Sequence, residues 1–405
     1  MPYHYNDNLT EIFAENRIVF IEKQLLALIK NQDFQNLKVL QKPSVSKIYK
    51  LRNIADKIKD SFNTLIIVGM GGSVLNPKTI IKFVETENKN KDNVVFKFLD
   101  TLDPVAINFI LSKVDIKKTA FLIISKSGNT IETNCIASVL INICKKHGIS
   151  SISKNFFFIL SDNYSKLRTI AQDWNATIIK HPDISGRYSF FTEVALFPAL
   201  INNVDIKQLC FGANKVIEEM YSLQANSAVV KGATFIALMH EVGKKLIVNL
   251  CYTNKLQAFM EWQEQLISES LGKNGKGITP QSKIGPSFQH SLLQLYLNGP
   301  KDKCFTLISV DELSDNFKSE YIDKQDFNYL NKILKVEREC VYKTLKDATF
   351  PFREFIIKEL SLSSLGALIA HNIIETVLVG YLLRLNPFDQ PAVEYVKKEI
   401  EKYIF

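Results

Sequence analysis

With 405 residues, 46% of them apolar, the chain is long enough for two domains of ordinary size and too rich in core-forming side chains for wholesale disorder. Its net charge of +8, from 50 basic and 42 acidic residues, is mild and scattered rather than striped, which argues against a nucleic-acid partner and suits an anionic small molecule. The six cysteines (Cys135, Cys144, Cys210, Cys251, Cys304 and Cys340) lie far apart, mostly in apolar runs, with neither zinc spacing nor a disulfide framework, and read as reduced core thiols.

At the N-terminus, MPYHYNDNLTEIF has neither the basic start nor the apolar stretch of a signal peptide. No apolar run is read as approaching membrane-spanning length, so a soluble cytoplasmic protein with no membrane partner is expected. Residues Asn8–Gln41 carry apolar side chains at helical spacing and predict one or two packing helices without visible chemistry. An α/β rhythm begins at Thr64. Leu65–Val68 reads as a buried strand, Gly69-Met70-Gly71-Gly72-Ser73 follows, and a helix is expected from about Pro77. The glycines allow a tight turn and close approach to a ligand, but neither G-x-G-x-x-G nor G-K-[ST] is present, so no dinucleotide or P-loop reading is supported. Strand and helix then alternate: Val94–Leu99 before a helix from Pro104, Ala120–Ile124 before a helix beyond Asn129, Phe156–Leu160 before a helix from Tyr164, then Ala176–Ile179. This pattern predicts a doubly wound parallel sheet with ligands at the carboxyl ends of its strands.

The chain is organised around Phe121–Asn134, FLIISKSGNTIETN. A buried strand turns abruptly into Ser125, Lys126, Ser127, Gly128, Asn129 and Thr130, and a helix with one apolar face follows. Asn129 with Glu132 reads as a capping box. Hydroxyls, a lysine and free N–H groups thus gather at a helix start, a natural phosphate site. Further on, Arg187 in Ser185-Gly186-Arg187-Tyr188-Ser189 reads on its own as a solvated surface residue, and in functional terms as a fixed cation near a phosphate or developing charge.

Helical patterns run from Phe190 to His240. A strand at Lys245–Cys251 leads into a helix from Thr253 to Leu271, with Gly272 as a left-handed stop. Gln265 and Glu269, four apart, share one face near its end. His290 falls at the start of a short helix after a Gly-Pro turn, where a histidine serves structure or proton transfer. Phe305–Val310 and Phe355–Leu360 read as strands, Asp311–Asp347 as charged and irregular, and Leu365–Leu383 as a long apolar helix. The final helix, after Pro387-Phe388-Asp389-Gln390-Pro391, has an apolar stripe of Val393, Val396, Ile400 and Ile404. Lys397 falls inside it, either snorkelling to the core rim or directed into a pocket.

Taken together, GMGGS, SKSGNTIET, SGRYS, QLISESLGK, FQHS and NPFDQPAVEYVK stand in the order and rough spacing of the glucose-6-phosphate isomerase (phosphoglucose isomerase) family, over roughly Leu65 to Lys397. S-K-S-G-x-T alone marks the wider sugar-isomerase (SIS) class; six motifs in order are specific. The resemblance implies two SIS-type α/β domains (46–187 and 188–385) with mainly parallel sheets, an N-terminal helical segment (1–45) and a C-terminal helix (386–405) carrying Lys397. It places the phosphate on Ser125, Ser127 and Thr130 with backbone help from Lys126, beside Gly72 and Ser73. It places the catalytic glutamate at Glu269, the ring-opening histidine at His290, the C-terminal lysine at Lys397 and the arginine of G-G-R, with its adjacent glycine Gly186, at Arg187. Gln265 and Gln390 match further pocket positions. It also implies a homodimer in which His290 serves the neighbouring subunit. Two departures stand out: Ser185 replaces the first glycine of G-G-R, and the chain is short, like the compact bacterial members.

The implied reaction is interconversion of glucose 6-phosphate and fructose 6-phosphate through an enediolate, with no cofactor or metal. A non-catalytic SIS sensor would need the phosphate loop but not Glu269, His290 or Lys397. An isomerase of broader specificity, acting also on mannose 6-phosphate, would differ in pocket shape. A nicotinamide-dependent oxidoreductase lacks its fingerprint here.

Overall fold

The computed structural model describes residues 1–85, 94–149, 151–161, 164–311 and 321–404. Its strands are β1 (Tyr3–Asp7), β2 (Thr64–Val68), β3 (Val95–Leu99), β4 (Thr119–Ser125), β5 (Phe156–Leu160), β6 (Thr177–Lys180), β7 (Leu246–Cys251), β8 (Thr279–Ile284), β9 (Lys303–Val310) and β10 (Phe352–Ile357). The chain divides into two compact units, residues 42–210 and residues 1–41 with 211–405.

In the 42–210 unit, five parallel strands lie in the order β3-β2-β4-β5-β6. β2, β4 and β5 are buried at every position. That is why they read as unbroken apolar runs: helices on both faces leave no side for water. Chain order reverses between β2 and β4, so their carboxyl ends flank the crevice where such sheets bind ligands. Both polar loops leave the sheet there.

In the other unit the order is β1-β10-β9-β7-β8. β7 to β10 are parallel and repeat the same winding, while β1 runs antiparallel on β10. Two mainly parallel, doubly wound α/β sheets are thus present, as expected. Helix Leu362–Leu382 is long and apolar enough to cross a membrane by length and composition, which corrects the expectation that no run approaches that length. Yet 89% of its apolar window is buried inside the unit. Its solvent is protein, and it carries the buried polar residues His371, Asn372 and Glu375.

Several local expectations shift. Helix Gly72–Val84 begins at once after the glycines, with Pro77 inside it, so Ser73 lies in the first turn. β10 begins three residues before the expected strand. β1 and β8 were not anticipated; both are edge strands, polar at alternate or most positions, without the apolar run that betrays a central strand. Within Asp311–Asp347, expected to be irregular, lies helix Lys324–Asp347, which buries only Val341 and Leu345. The N-terminal segment does not form a unit of its own, because β1 pairs with β10. Residues 188–210 cluster with the first unit, where helix Glu193–Ile201 packs on helix Gly72–Val84. Cys135 and Cys340 are exposed; the other four cysteines are buried, as core thiols should be.

Candidate functional site

β4 ends at Ser125, which is 3% exposed. Its Oγ accepts from the Gly128 N–H at 3.1 Å and lies 3.2 Å from Thr130 Oγ1. Ser127 Oγ lies 3.5 Å from the same Thr130 hydroxyl and accepts from the Asn129 N–H at 3.2 Å. The chain therefore curls over its own strand end and points three hydroxyls at one another. Gly128 permits this: its φ is +66°, and a Cβ there would lie 2.1 Å from Ser165 Oγ. The Thr130 side chain makes no capping bond at helix Ile131–Lys146, so the first N–H groups stay available to an anion. The expected capping box does not form. Asn129 stands one residue too early, and its side-chain oxygen accepts from the Lys166 N–H at 3.1 Å. The Lys126 ammonium pairs with Asp183 at 3.0 Å.

At the adjacent strand end, Gly72 opens its helix against the Arg187 loop. A Cβ on Gly72 would lie 2.3 Å from the carbonyl carbon and oxygen of Gly186 and 2.7 Å from the Arg187 nitrogen. Asn76, one turn on, donates to the Gly186 carbonyl at 2.9 Å and lies 3.1 Å from Ser189 Oγ. Arg187 is consequently buried, at 1% exposure, with its guanidinium 5.2 Å from the Tyr188 ring centre. The surface reading of Arg187 is overturned; no sequence pattern reveals that Gly72 and Asn76 clamp this loop from above. Ser185, at φ −59° and ψ 144°, sits in a conformation open to any residue, so its replacement of glycine carries no backbone strain. Gly72, Ser73, Gly186 and Arg187 are thus gathered on the same side of the sheet.

This geometry separates two glycines. Gly72→Ala is expected to displace the Arg187 loop and lower kcat/KM by about 10²-fold, the scale of an ångström-level misplacement. Gly186→Ala, whose Cβ would sit 3.8 Å from Gly72, is expected to stay within a few-fold of wild type. Steady-state kinetics on the two variants check this, and equal losses would refute the clamp.

In the other unit, helix Gln257–Leu271 places Gln265 and Glu269 on one face, where Gln265 Nε2 donates to Glu269 Oε1 at 2.9 Å. Gly272 is not a left-handed stop, since its φ is −75°. Glycine is required there because a Cβ would lie 2.7 Å from the Ser268 carbonyl oxygen. The Lys273 ammonium bonds Asp389 at 2.7 Å and also the Asn386 carbonyl, tying the end of this segment to NPFDQ. Gln390 and Lys397 both reach Glu394, at 3.2 and 3.0 Å. Lys397 is exposed, as are Val393 and Val396 of its stripe. His290 closes the short 3-10 helix Ser287–His290 rather than opening a helix; Phe288 anchors that turn in the core while His290 stays exposed. A cleft of about 530 Å³ between this turn, β8 and helix Gln257–Leu271 is lined by Met260, Glu264, Ser282 and Ile284. Glu269 and His290 are not among its walls.

Phosphoglucose isomerase is the family that matches, over residues 47–293. A glucose-6-phosphate isomerase of Methanocaldococcus jannaschii is 33% identical over 355 residues, covering 85% of each chain. A hypothetical protein of Thermus thermophilus superposes with a TM-score of 0.85 at 25% identity, over 99% of this chain and 100% of the other. A glucose-6-phosphate isomerase of Chlamydia trachomatis shares the fold, with a TM-score of 0.80 at 17% identity over 100% and 88% of the two chains. With that family model spanning more than half of the chain and relatives above 30% identity over most of it, the chain belongs to the phosphoglucose isomerase family.

Proposed function

We propose that the protein reversibly isomerises glucose 6-phosphate and fructose 6-phosphate by ring opening and enediolate proton transfer. The observation that supports this best is the trio of hydroxyls at the β4 end, set against an uncapped helix start in a chain of this family. Ser125, Ser127 and Thr130 hold the phosphate, with the Lys126 backbone, Gly72 and Ser73 beside them. This remote binding orients the sugar. His290, helped by Lys397, moves the proton of the ring oxygen and the O1 hydroxyl. Glu269, oriented by Gln265, takes the proton from C2 and returns it to C1. Arg187 stabilises the enediolate charge, and Gly186 and Gln390 complete the set. The assay is interconversion of the two hexose phosphates by the purified protein with EDTA present. Metal-independent turnover is expected, and its absence overturns the reading.

The active form is a cytoplasmic homodimer in which His290 serves the neighbouring subunit; its exposure supports that role. Co-expression of Glu269→Gln with His290→Ala is then expected to restore about a quarter of wild-type activity, since half the dimers are mixed and each mixed dimer holds one intact set. Activity no higher than either variant alone would place His290 in the site of its own chain.

A further inference from the structure

Among the described residues, no side chain of helix Pro391–Ile404 is buried, although Gln390 stands just before it and Lys397 lies on it. A helix without a packed face is placed by whatever holds its first turn. The chain leading into it, residues 383–390, is held from two sides. On one side Leu385 and Pro387 are buried, and Pro387 lies so near Gly380 that a Cβ on that glycine would sit 3.0 Å away. On the other side is the loop after Glu269. The Gly272 and Lys273 N–H groups close back on the Ser268 and Leu271 carbonyls at 3.0 and 2.9 Å, and the Lys276 N–H closes on the Lys273 carbonyl at 2.8 Å. Gly277, at φ +103°, completes the turn, where a Cβ would lie 2.5 Å from the Leu271 carbonyl oxygen. The loop thereby presents two ammonium groups to residues 383–389. Lys276 Nζ donates at 2.8 Å to the carbonyl of Leu383, the residue that ends helix Leu362–Leu382. Lys273, with only 8% of its side chain exposed, holds both the Asn386 carbonyl and the Asp389 carboxylate.

We propose that Lys273 is a positioning residue for the isomerisation: its ammonium sets the spacing between the helix end that carries Glu269 and the turn that carries Gln390. This rests on the roles proposed above for Glu269, Gln390 and Lys397, and adds what holds them in register. Both arms of the bracket are short and hydrogen-bonded. Glu269 lies four residues before Lys273, within one closed turn. Asp389 immediately precedes Gln390, whose carbonyl accepts from the Val393 and Glu394 N–H groups at 3.1 and 3.2 Å. The Glu394 carboxylate then receives both Gln390 and Lys397. A buried ammonium that lost an acceptor would be left poorly solvated, so displacing either arm is opposed at the charge itself. Lys276 differs, because it meets only a helix-end carbonyl and reaches neither Asp389 nor Asn386.

Steady-state kinetics on glucose 6-phosphate, with wild type alongside, test the role. Lys273→Met keeps the stem and removes the charge. It is expected to lower kcat by about 10²-fold, the scale of an ångström-level misplacement, and to leave KM within a few-fold, because the phosphate is held by other residues. Lys276→Met is expected to keep kcat within a few-fold. Asp389→Ala, at a half-exposed site, leaves the Asn386 bond in place and is expected to lower kcat about tenfold, so the test stands even where Lys273→Met folds poorly. The readout that a purely structural role would not move is coupling to the base. Lys273→Met added to Glu269→Gln is expected to cost no more than Glu269→Gln alone, since the placement of a base that cannot take a proton no longer matters. Near-normal kcat in both Lys273→Met and Asp389→Ala, an equal loss in Lys276→Met, or fully multiplicative losses in the double variant overturns the role. An inactive wild type overturns the isomerase reading and the role together; an active wild type with unimpaired variants overturns the role alone.

Discussion

Glu269→Gln is expected to lower kcat by at least about 10²-fold, the lower end for a lost general base, with KM little changed. The substitution keeps volume and shape. The amide can still meet Gln265, whose Nε2 now donates to Glu269 Oε1 at 2.9 Å, so the helix end should hold its geometry. Only the ability to carry a proton is removed. Isomerisation moves one hydrogen from C2 to C1, and a neutral amide can neither accept that proton nor return it. Substrate labelled with deuterium at C2 sharpens the measurement: transfer of label to C1 and its loss to solvent should fall together with kcat. An effect below roughly tenfold in a folded variant would remove Glu269 from the role.

Glu375→Ala is expected to destabilise the second unit by about 3–5 kcal/mol, the usual result of stranding one member of a buried ion pair. Arg353 is fully buried on β10, and its guanidinium meets Glu375 through two bonds of 2.5 and 3.0 Å. Its Nε also donates to Thr306 on β9 at 3.0 Å. His371 Nε2 lies 3.0 Å from Glu375, and the Tyr3 hydroxyl lies 2.7 Å from His371 Nδ1. A carboxylate only accepts, so Nε2 carries a hydrogen in the contact with Glu375. The network thus ties edge strand β1 to helix Leu362–Leu382. Gly232 makes room for it, since a Cβ there would sit 2.0 Å from Glu375 Oε2. Replacing both partners, as Arg353→Met with Glu375→Leu, is expected to recover most of the loss. Denaturant titration of the single and double variants decides between a network that stabilises and one that merely compensates its own burial.

The same group sets an acid limit. Burial pushes the Glu375 carboxyl up, but the Arg353 guanidinium and the His371 bond outweigh it and hold the pKa at about 2. A folded value below the unfolded one means stability that is present above the ordinary carboxylate range and lost as pH falls toward about 2. Wild-type stability should therefore fall across that window more steeply than that of the double variant.

The central strands were legible because burial on both faces leaves a short apolar run bounded by turn residues. β2, β4, β5, β7 and β9 were placed within a few residues. The edge strands β1 and β8 were not: one face or one side meets solvent, and TPQSKI looks like a loop. Helix Lys324–Asp347 was hidden for a related reason: it buries only Val341 and Leu345, and its other apolar side chains are interleaved with charge. The hydroxyl-rich loop after β4 could be found from local chemistry, because its hydroxyls, glycine and helix start are contiguous. Arg187 could not be judged locally. Its burial depends on Gly72 and Asn76, more than a hundred residues earlier in the chain.

By itself, then, the amino-acid sequence determined the family, the alternation of strands and helices, the hydroxyl-rich loop after β4 and the shared face of Gln265 and Glu269. All of these rest on short-range spacing or on motif order. Tertiary structure alone decided which arginine is a buried cation, why Gly72 tolerates no side chain, and that Lys397 and His290 stand exposed on their own chain. It also decided that an ion-pair network, spread over residues 3, 306, 353, 371 and 375, locks the second sheet. Each of these is a meeting of segments far apart in the chain. Close packing and desolvation act between neighbours in space, and sequence distance carries no trace of them.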